Sequence, residues 1–214
     1  RIYMNSFILS YIMLFIESSV AVWVIFRWKH STVQQQLIIL LLVATPVSAI
    51  AELWMASHQI RNLWISQIFT LIEYVLILSV CYFWKSKKAD KRILMIGMIV
   101  FIVLWIVSKF TFEPLYRADT YTSAIAKTIE IITSAWILFD VLGDSDAVLK
   151  SDARVWFSSG IIIYASGTLF LFALFNMMLD TSPELIKTLW PINWILSIVF
   201  TLLLARGVWC RATQ

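Results

Sequence analysis

Seven long apolar stretches, at 3–28, 35–57, 63–84, 93–111, 118–142, 153–178 and 185–208, take up most of this chain, and short polar connections separate them. Each is long enough to cross a hydrocarbon core of about 30 Å at about 1.5 Å of rise per residue. No water reaches backbone N–H and C=O groups in such a core, so the segments must satisfy their own hydrogen bonds as helices. The expected fold is all-α: one domain over 1–214, a polytopic membrane protein built as a seven-transmembrane-helix bundle. The fifth stretch is the least apolar in character, because Lys127 and Glu130 stand in its middle. The longest polar connection surrounds 143–152 and carries Asp144, Asp146 and Asp152.

Composition agrees with this and excludes other classes. Of 214 residues, 61% are hydrophobic and 14% charged, and the mean hydropathy is +0.84. A soluble domain is nearer half apolar and a quarter charged. A disordered chain and a nucleic-acid binder are excluded on the same ground. Five glycines and four prolines exclude a fibrous repeat. Two cysteines, Cys81 and Cys210, are too few for a disulfide framework. The first apolar stretch has span length and carries Glu17, so it is expected to be a span and not a cleaved signal. A chain that starts at Arg1 is expected to have further residues before it.

The net charge of +4 is expected to report topology, since Lys and Arg concentrate on the cytoplasmic side. One side holds Arg27, Lys29, Lys85, Lys87, Lys88, Lys91, Arg92, Lys150, Arg154, Arg206 and Arg211. The other holds Arg1, Arg61, Lys109, Arg117 and Lys187, with Lys127 in the interior. The N-terminus is thus expected outside and the C-terminus in the cytoplasm of a bacterium-like cell, across the plasma (inner) membrane. Trp28, Trp84, Trp156 and Trp209 then fall at the inner interface, and Trp54, Trp64, Trp190 and Tyr121 at the outer one, as in an aromatic belt.

Five ionisable residues fall well inside the spans: Glu17, Glu52, Glu73, Lys127 and Glu130. Each costs about 2.5–3.5 kcal/mol near the centre of a lone helix, so each should face protein or water. They belong to polar stripes at helical spacing. In the second span the stripe is Thr45, Ser48 and Glu52; in the third it is Asn62, Ser66, Thr70 and Glu73. In the fifth it is Ser123, Lys127, Glu130 and Ser134; in the seventh it is Asn193, Ser197 and Thr201. Lys127 and Glu130 are three apart and expected to pair. Counting from the outer ends, Glu52, Lys127, Asn193, Glu73 and Glu130 lie roughly 8–18 Å deep, which permits one shared cavity. Glu17, near 20 Å by the same measure, is expected to form a separate contact with Ser18 and Ser19. Small polar residues also serve simply to pack helices, so the carboxylates carry more of the functional expectation than the Ser and Thr residues.

Other chemistries fit poorly. His30 and His58, the only histidines, are expected on opposite sides of the membrane, which leaves no zinc site. No Gly-x-Ser-x-Gly turn or Gly-rich phosphate loop is present, and no cofactor is expected. A retinal protein needs a lysine midway along the last helix, where this chain has Asn193. Gly160 and Gly167 are expected at close helix contacts, and Pro46 to kink the second helix. No internal repeat is visible, which counts against an inverted-repeat transporter.

The stretch from Asn62 to Tyr74 (NLWISQIFTLIEY) resembles a segment of small uncharacterised bacterial seven-helix integral membrane proteins. The shared features are Asn-Leu before the third helix and a Tyr/Phe-Thr-x-x-Glu-Tyr/Phe core within it. In that family a His often stands where this chain has Gln67, which speaks against His-based chemistry here. The resemblance implies weight for Thr70 and Glu73 and brings no activity with it.

The candidate ligand-binding or proton-relay residues are therefore Glu73, Glu130, Lys127, Glu52, Thr70 and Asn193. A carboxylate-rich cavity walled by tryptophan suits a small cationic or amphipathic ligand, or protons. The expected function is a ligand-sensing or signalling module with this cavity in the outer half of the bundle. Its expected partners are the lipid bilayer and a cytoplasmic or membrane protein, with no nucleic acid. A small-solute or proton-coupled transporter and an intramembrane lipid-modifying enzyme are the competing readings.

Overall fold

The computed structural model is all-helical. It describes the backbone of residues 2–116, 119–143, 149–181 and 183–210, and side chains within 8–116, 119–143, 149–171 and 189–210. Seven α-helices follow one another among these residues: α1 (Ile2–Ile25), α2 (Val33–Ser57), α3 (Leu63–Trp84), α4 (Lys88–Thr111), α5 (Tyr121–Leu142), α6 (Ala153–Thr181) and α7 (Pro183–Trp209). Six are long and apolar enough to cross a membrane. α5 is not among these six; it carries Lys127, Glu130 and Asp140 along its length. The expected placements of Arg1, Arg117, Asp144, Asp146 and Arg211, and of the Lys187 side chain, lie outside the described residues.

Local chemistry sets the helix ends. Thr32 and Gln35 form a capping box that starts α2 two residues before the apolar run. At its other end, Gln59 adopts a left-handed φ of 58°, and the Ile60 N–H donates to the Met55 carbonyl at 2.9 Å. This turn satisfies carbonyls that the helix end leaves open. α4 begins five residues before its apolar stretch, at Lys88, because its solvated Lys, Ala and Arg residues are good helix formers. Pro46 and Pro191 lie within α2 and α7 without ending them.

Six helices close a ring in the order α1, α2, α3, α5, α6, α7, with α2 also touching α7. α4 stands outside, against α3 and α5. Its buried residues are Leu94, Phe101 and Ser108 at seven-residue intervals, a narrow seam on an otherwise outward-facing apolar helix. Ile99, Val100 and Val103 are more than half exposed; lipid is the solvent that accommodates such a face.

The ring is filled in one half only. Toward the basic end, Ile38, Leu41 and Leu42 of α2 and Ile77, Leu78 and Cys81 of α3 are fully buried. Phe157, Ile161, Leu204 and Val208 of α6 and α7 complete this plug. The basic end is also tied by paired cations and rings. The Arg27 guanidinium lies 4.5 Å from the Trp209 ring centre, and Trp209 stacks on Trp23 at 4.6 Å. Lys85 Nζ lies 3.6 Å from the Trp136 ring centre and 2.5 Å from Asp140 Oδ2.

α6 and α7 approach closely at glycines. A Cβ on Gly160 would meet Leu204 Cδ1 at 2.8 Å and Leu203 Cβ at 3.2 Å; one on Gly167 would meet Leu196 Cδ1 at 2.5 Å. At Gly97 the nearest atom is 4.0 Å away. Gly160→Ala is expected to destabilise the protein by about 1–3 kcal/mol through overpacking. Gly97→Ala should be neutral or stabilising by up to about 1 kcal/mol. Unfolding curves in mild detergent, with the two variants side by side, check this.

Candidate functional site

The other half of the ring encloses a cavity of about 340 Å³. Helical periodicity aims the stripes of α2, α3, α5 and α7 into it, because Cβ atoms three or four residues apart share a face. α2 contributes Thr45, Ser48 and Glu52, and α3 contributes Asn62, Ser66, Thr70 and Glu73. α5 contributes Ser123 and Lys127, and α7 contributes Asn193 and Ser197. Five of the six sequence-derived candidates, Glu52, Thr70, Glu73, Lys127 and Asn193, thus share one wall system. The sixth, Glu130, lies behind Lys127 and does not line the space.

Lys127, Glu73 and Glu130 form one ionic network. Lys127 Nζ donates to Glu73 Oε2 at 2.5 Å and to Glu130 Oε2 at 3.1 Å. All three side chains are buried. Lys127 Nζ also lies 4.8 Å from the centre of the Tyr164 ring, which itself stacks on Phe200 at 4.7 Å. A buried lysine between two carboxylates has its charge compensated in place, whereas either partner alone would leave an ion in a low-dielectric interior.

Glu17 departs from expectation. It makes no separate contact with Ser18 and Ser19 but lines the same cavity, on the α1 wall. The Ser197 hydroxyl donates to its Oε1 at 2.5 Å. α1 packs against α7, so the partner of Glu17 comes from a residue 180 positions away and not from its own helix. Asp119, Tyr164 and Trp194 also line the space and were not legible as site residues. α6 carries no Asp, Glu, Lys or Arg at that depth, and Asp119 precedes its helix.

The cavity mouth is held by the connection between α4 and α5. Glu113 accepts hydrogen bonds from the backbone N–H groups of Thr120, Tyr121 and Thr122 and from the Thr122 hydroxyl. A carboxylate on the first N–H groups of a helix meets both open donors and the positive end of the helix dipole. Burial pushes the Glu113 carboxyl up, but these four donors outweigh it and hold the group below its ordinary 4.5. Asp119 is pushed the other way: burial raises it above the ordinary 3.8, against the Thr122 hydroxyl and Lys109, whose Nζ is 3.7 Å away. Asn62 Nδ2 donates to the Glu52 carbonyl at 3.0 Å and joins the adjacent ends of α2 and α3.

His58 is exposed and packs against Trp54 with ring centres 4.6 Å apart and planes tilted by 38°, and His30 is exposed at the basic end. Among the described residues no group of three His, Cys, Asp or Glu side chains is placed to hold a metal ion.

No family model, curated protein or solved structure matches the chain.

Proposed function

We propose that this chain is a ligand-sensing or signalling module of a bacterial inner membrane. All seven helices, α5 included, cross the bilayer, with the N-terminus outside. The cavity opens toward the outer face and takes a small cationic or amphipathic ligand. The observation that carries this reading is that four carboxyls, Glu17, Glu52, Glu73 and Asp119, share a cavity that stops at mid-bundle on the packed plug of α2, α3, α6 and α7. A blind, acid-lined pocket holds a ligand; it offers no route through the ring. Trp190, Trp194, Phe69 and Tyr164 on its walls add faces that attract a cation.

The signal path runs through α3 and α5. These helices are clamped at mid-depth by Glu73 and Lys127 and at the basic end by Lys85 and Asp140, each pair at 2.5 Å. Occupation of the cavity changes the field at the first clamp, and α5 carries the change to the second. A cytoplasmic or membrane protein partner then reads the basic end.

Two measurements test the reading. Compound sets of small organic cations and neutral amphiphiles are screened by thermal shift on the full chain in nanodiscs. A ligand at 100 times its Kd is expected to add about 2.7 kcal/mol, and Ala49→Trp, which fills the cavity, is expected to remove the shift. The same compounds are then followed in proteoliposomes. Protein-dependent flux would overturn the sensor in favour of a transporter. For orientation, Lys88→Cys and Tyr116→Cys stand in exposed positions at opposite ends, while native Cys81 and Cys210 are buried. Tyr116→Cys should label from outside intact cells and Lys88→Cys only after permeabilisation; the reverse would invert the topology.

A further inference from the structure

The cavity is rich in acceptors. The hydroxyl of Thr45 donates to the Leu41 carbonyl at 3.0 Å and that of Ser48 to the Thr45 carbonyl at 2.8 Å. Those of Ser66 and Thr70 donate to Leu63 and Ser66 carbonyls, both at 3.0 Å. A carbonyl has no proton to give, so each hydroxyl spends its own on the helix and turns lone pairs to the cavity. Ser197 spends its proton on Glu17. Lys127 spends two of its three N–H groups on Glu73 and Glu130.

The floor has the sharpest demand for a donor. Glu17 is 1% exposed; its Oε1 is taken by Ser197, while Oε2 is buried without a hydrogen-bond partner. Asn193 Oδ1 is also buried without a partner. Asn193 stands one helical turn from Ser197, on the same face of α7, and lines the same cavity as Glu17. No basic side chain lies within ion-pair distance of Glu17 among the described residues. The other deep carboxyl, Glu73, already has Lys127.

We infer that the Glu17–Asn193 floor is a seat for a primary ammonium group, with the ligand's hydrocarbon part lying along Met13, Leu63 and Phe69 toward the mouth. The inference rests on the reading of the cavity as a ligand site and adds the ligand's chemistry. A primary ammonium brings one positive charge and three N–H donors, which match a carboxyl oxygen, an amide oxygen and one of the hydroxyl lone pairs. A quaternary ammonium has the charge but no donor, and leaves both buried oxygens unpaired. An alcohol has one donor and no charge.

The test uses three probes of one chain length: n-hexylammonium, N,N,N-trimethylhexylammonium and 1-hexanol. Binding to the full chain in phosphatidylcholine nanodiscs is followed by calorimetry. Hexylammonium is expected to bind at least tenfold more tightly than either analogue. Glu17→Gln should weaken it tenfold or more and Asn193→Leu three- to tenfold, while Gly97→Ala on α4, outside the ring, changes it less than threefold. Asn193→Leu carries the test if Glu17→Gln does not fold. Equal affinity for the trimethyl analogue, unchanged binding in Glu17→Gln or in a folded Asn193→Leu, or no hexylammonium binding at all overturns the seat. The ligand-cavity reading survives any of these if another compound still gives a thermal shift that Ala49→Trp abolishes. Repeating the titration in phosphatidylethanolamine nanodiscs identifies the source: competition assigns the ammonium to a lipid headgroup, and unchanged affinity assigns it to a free solute.

Discussion

Lys127→Met is expected to destabilise the protein by about 3–5 kcal/mol, the cost of removing one partner from a buried ionic network. Lys127 Nζ is the donor that both carboxylates share, at 2.5 Å from Glu73 and 3.1 Å from Glu130. Without it two acidic groups are left without their shared cation, and Glu130 is fully buried. Their removal should therefore restore stability stepwise. Lys127→Met with Glu130→Gln is expected to recover part of the loss, and adding Glu73→Gln most of the remainder. Neutral side chains of similar size replace a buried ionic group at little net cost once no charge is left unpaired. Unfolding of the single, double and triple variants in one detergent gives the answer. A double variant less stable than Lys127→Met would show that the charges do not compensate one another.

Glu73→Gln is expected to do the opposite: to fold well and to stop signalling. The substitution leaves Lys127 paired with Glu130 at 3.1 Å, one cation against one anion, so stability should stay within about 1 kcal/mol of the parent, as for a conservative change with partners kept. What disappears is the charged clamp between α3 and α5 at mid-depth. Ligand binding at the Glu17 floor should persist, while the ligand-induced change in hydrogen exchange over 131–142 of α5 should be lost. A Glu73→Gln protein that still transmits that change would remove Glu73 from the signal path. One that unfolds would make Glu73 a structural residue only.

The same two residues show how far the sequence reaches. Lys127 and Glu130 are three apart on one helix, so local geometry alone predicts their pairing, and the structure shows it. The bond to Glu73 joins residues 54 apart, and helical spacing says only that each faces inward. Which inward faces meet depends on the order of helices around the ring. That order places α3 beside α5 and leaves α4 outside, although α4 stands between them in the chain.

The all-helical class and the approximate helix limits follow from the sequence by itself, because a hydrocarbon solvent permits little else for apolar runs of this length. Periodicity likewise fixes the polar stripes, and the glycines of α6 mark a close approach that the Leu196 and Leu204 contacts bear out. Tertiary structure alone decided the rest. It moved Glu17 from an isolated contact to the cavity floor, through a hydrogen bond to Ser197 that spans 180 residues. It brought in Tyr164, from a helix with no charged residue at that depth, and Asp119, which precedes the first residue of α5. It closed one half of the ring with large apolar side chains and left the other half open. The physical reason is locality: backbone hydrogen bonding and helix periodicity are set along the chain, whereas the neighbours of a buried side chain, charged or apolar, are chosen by packing between helices.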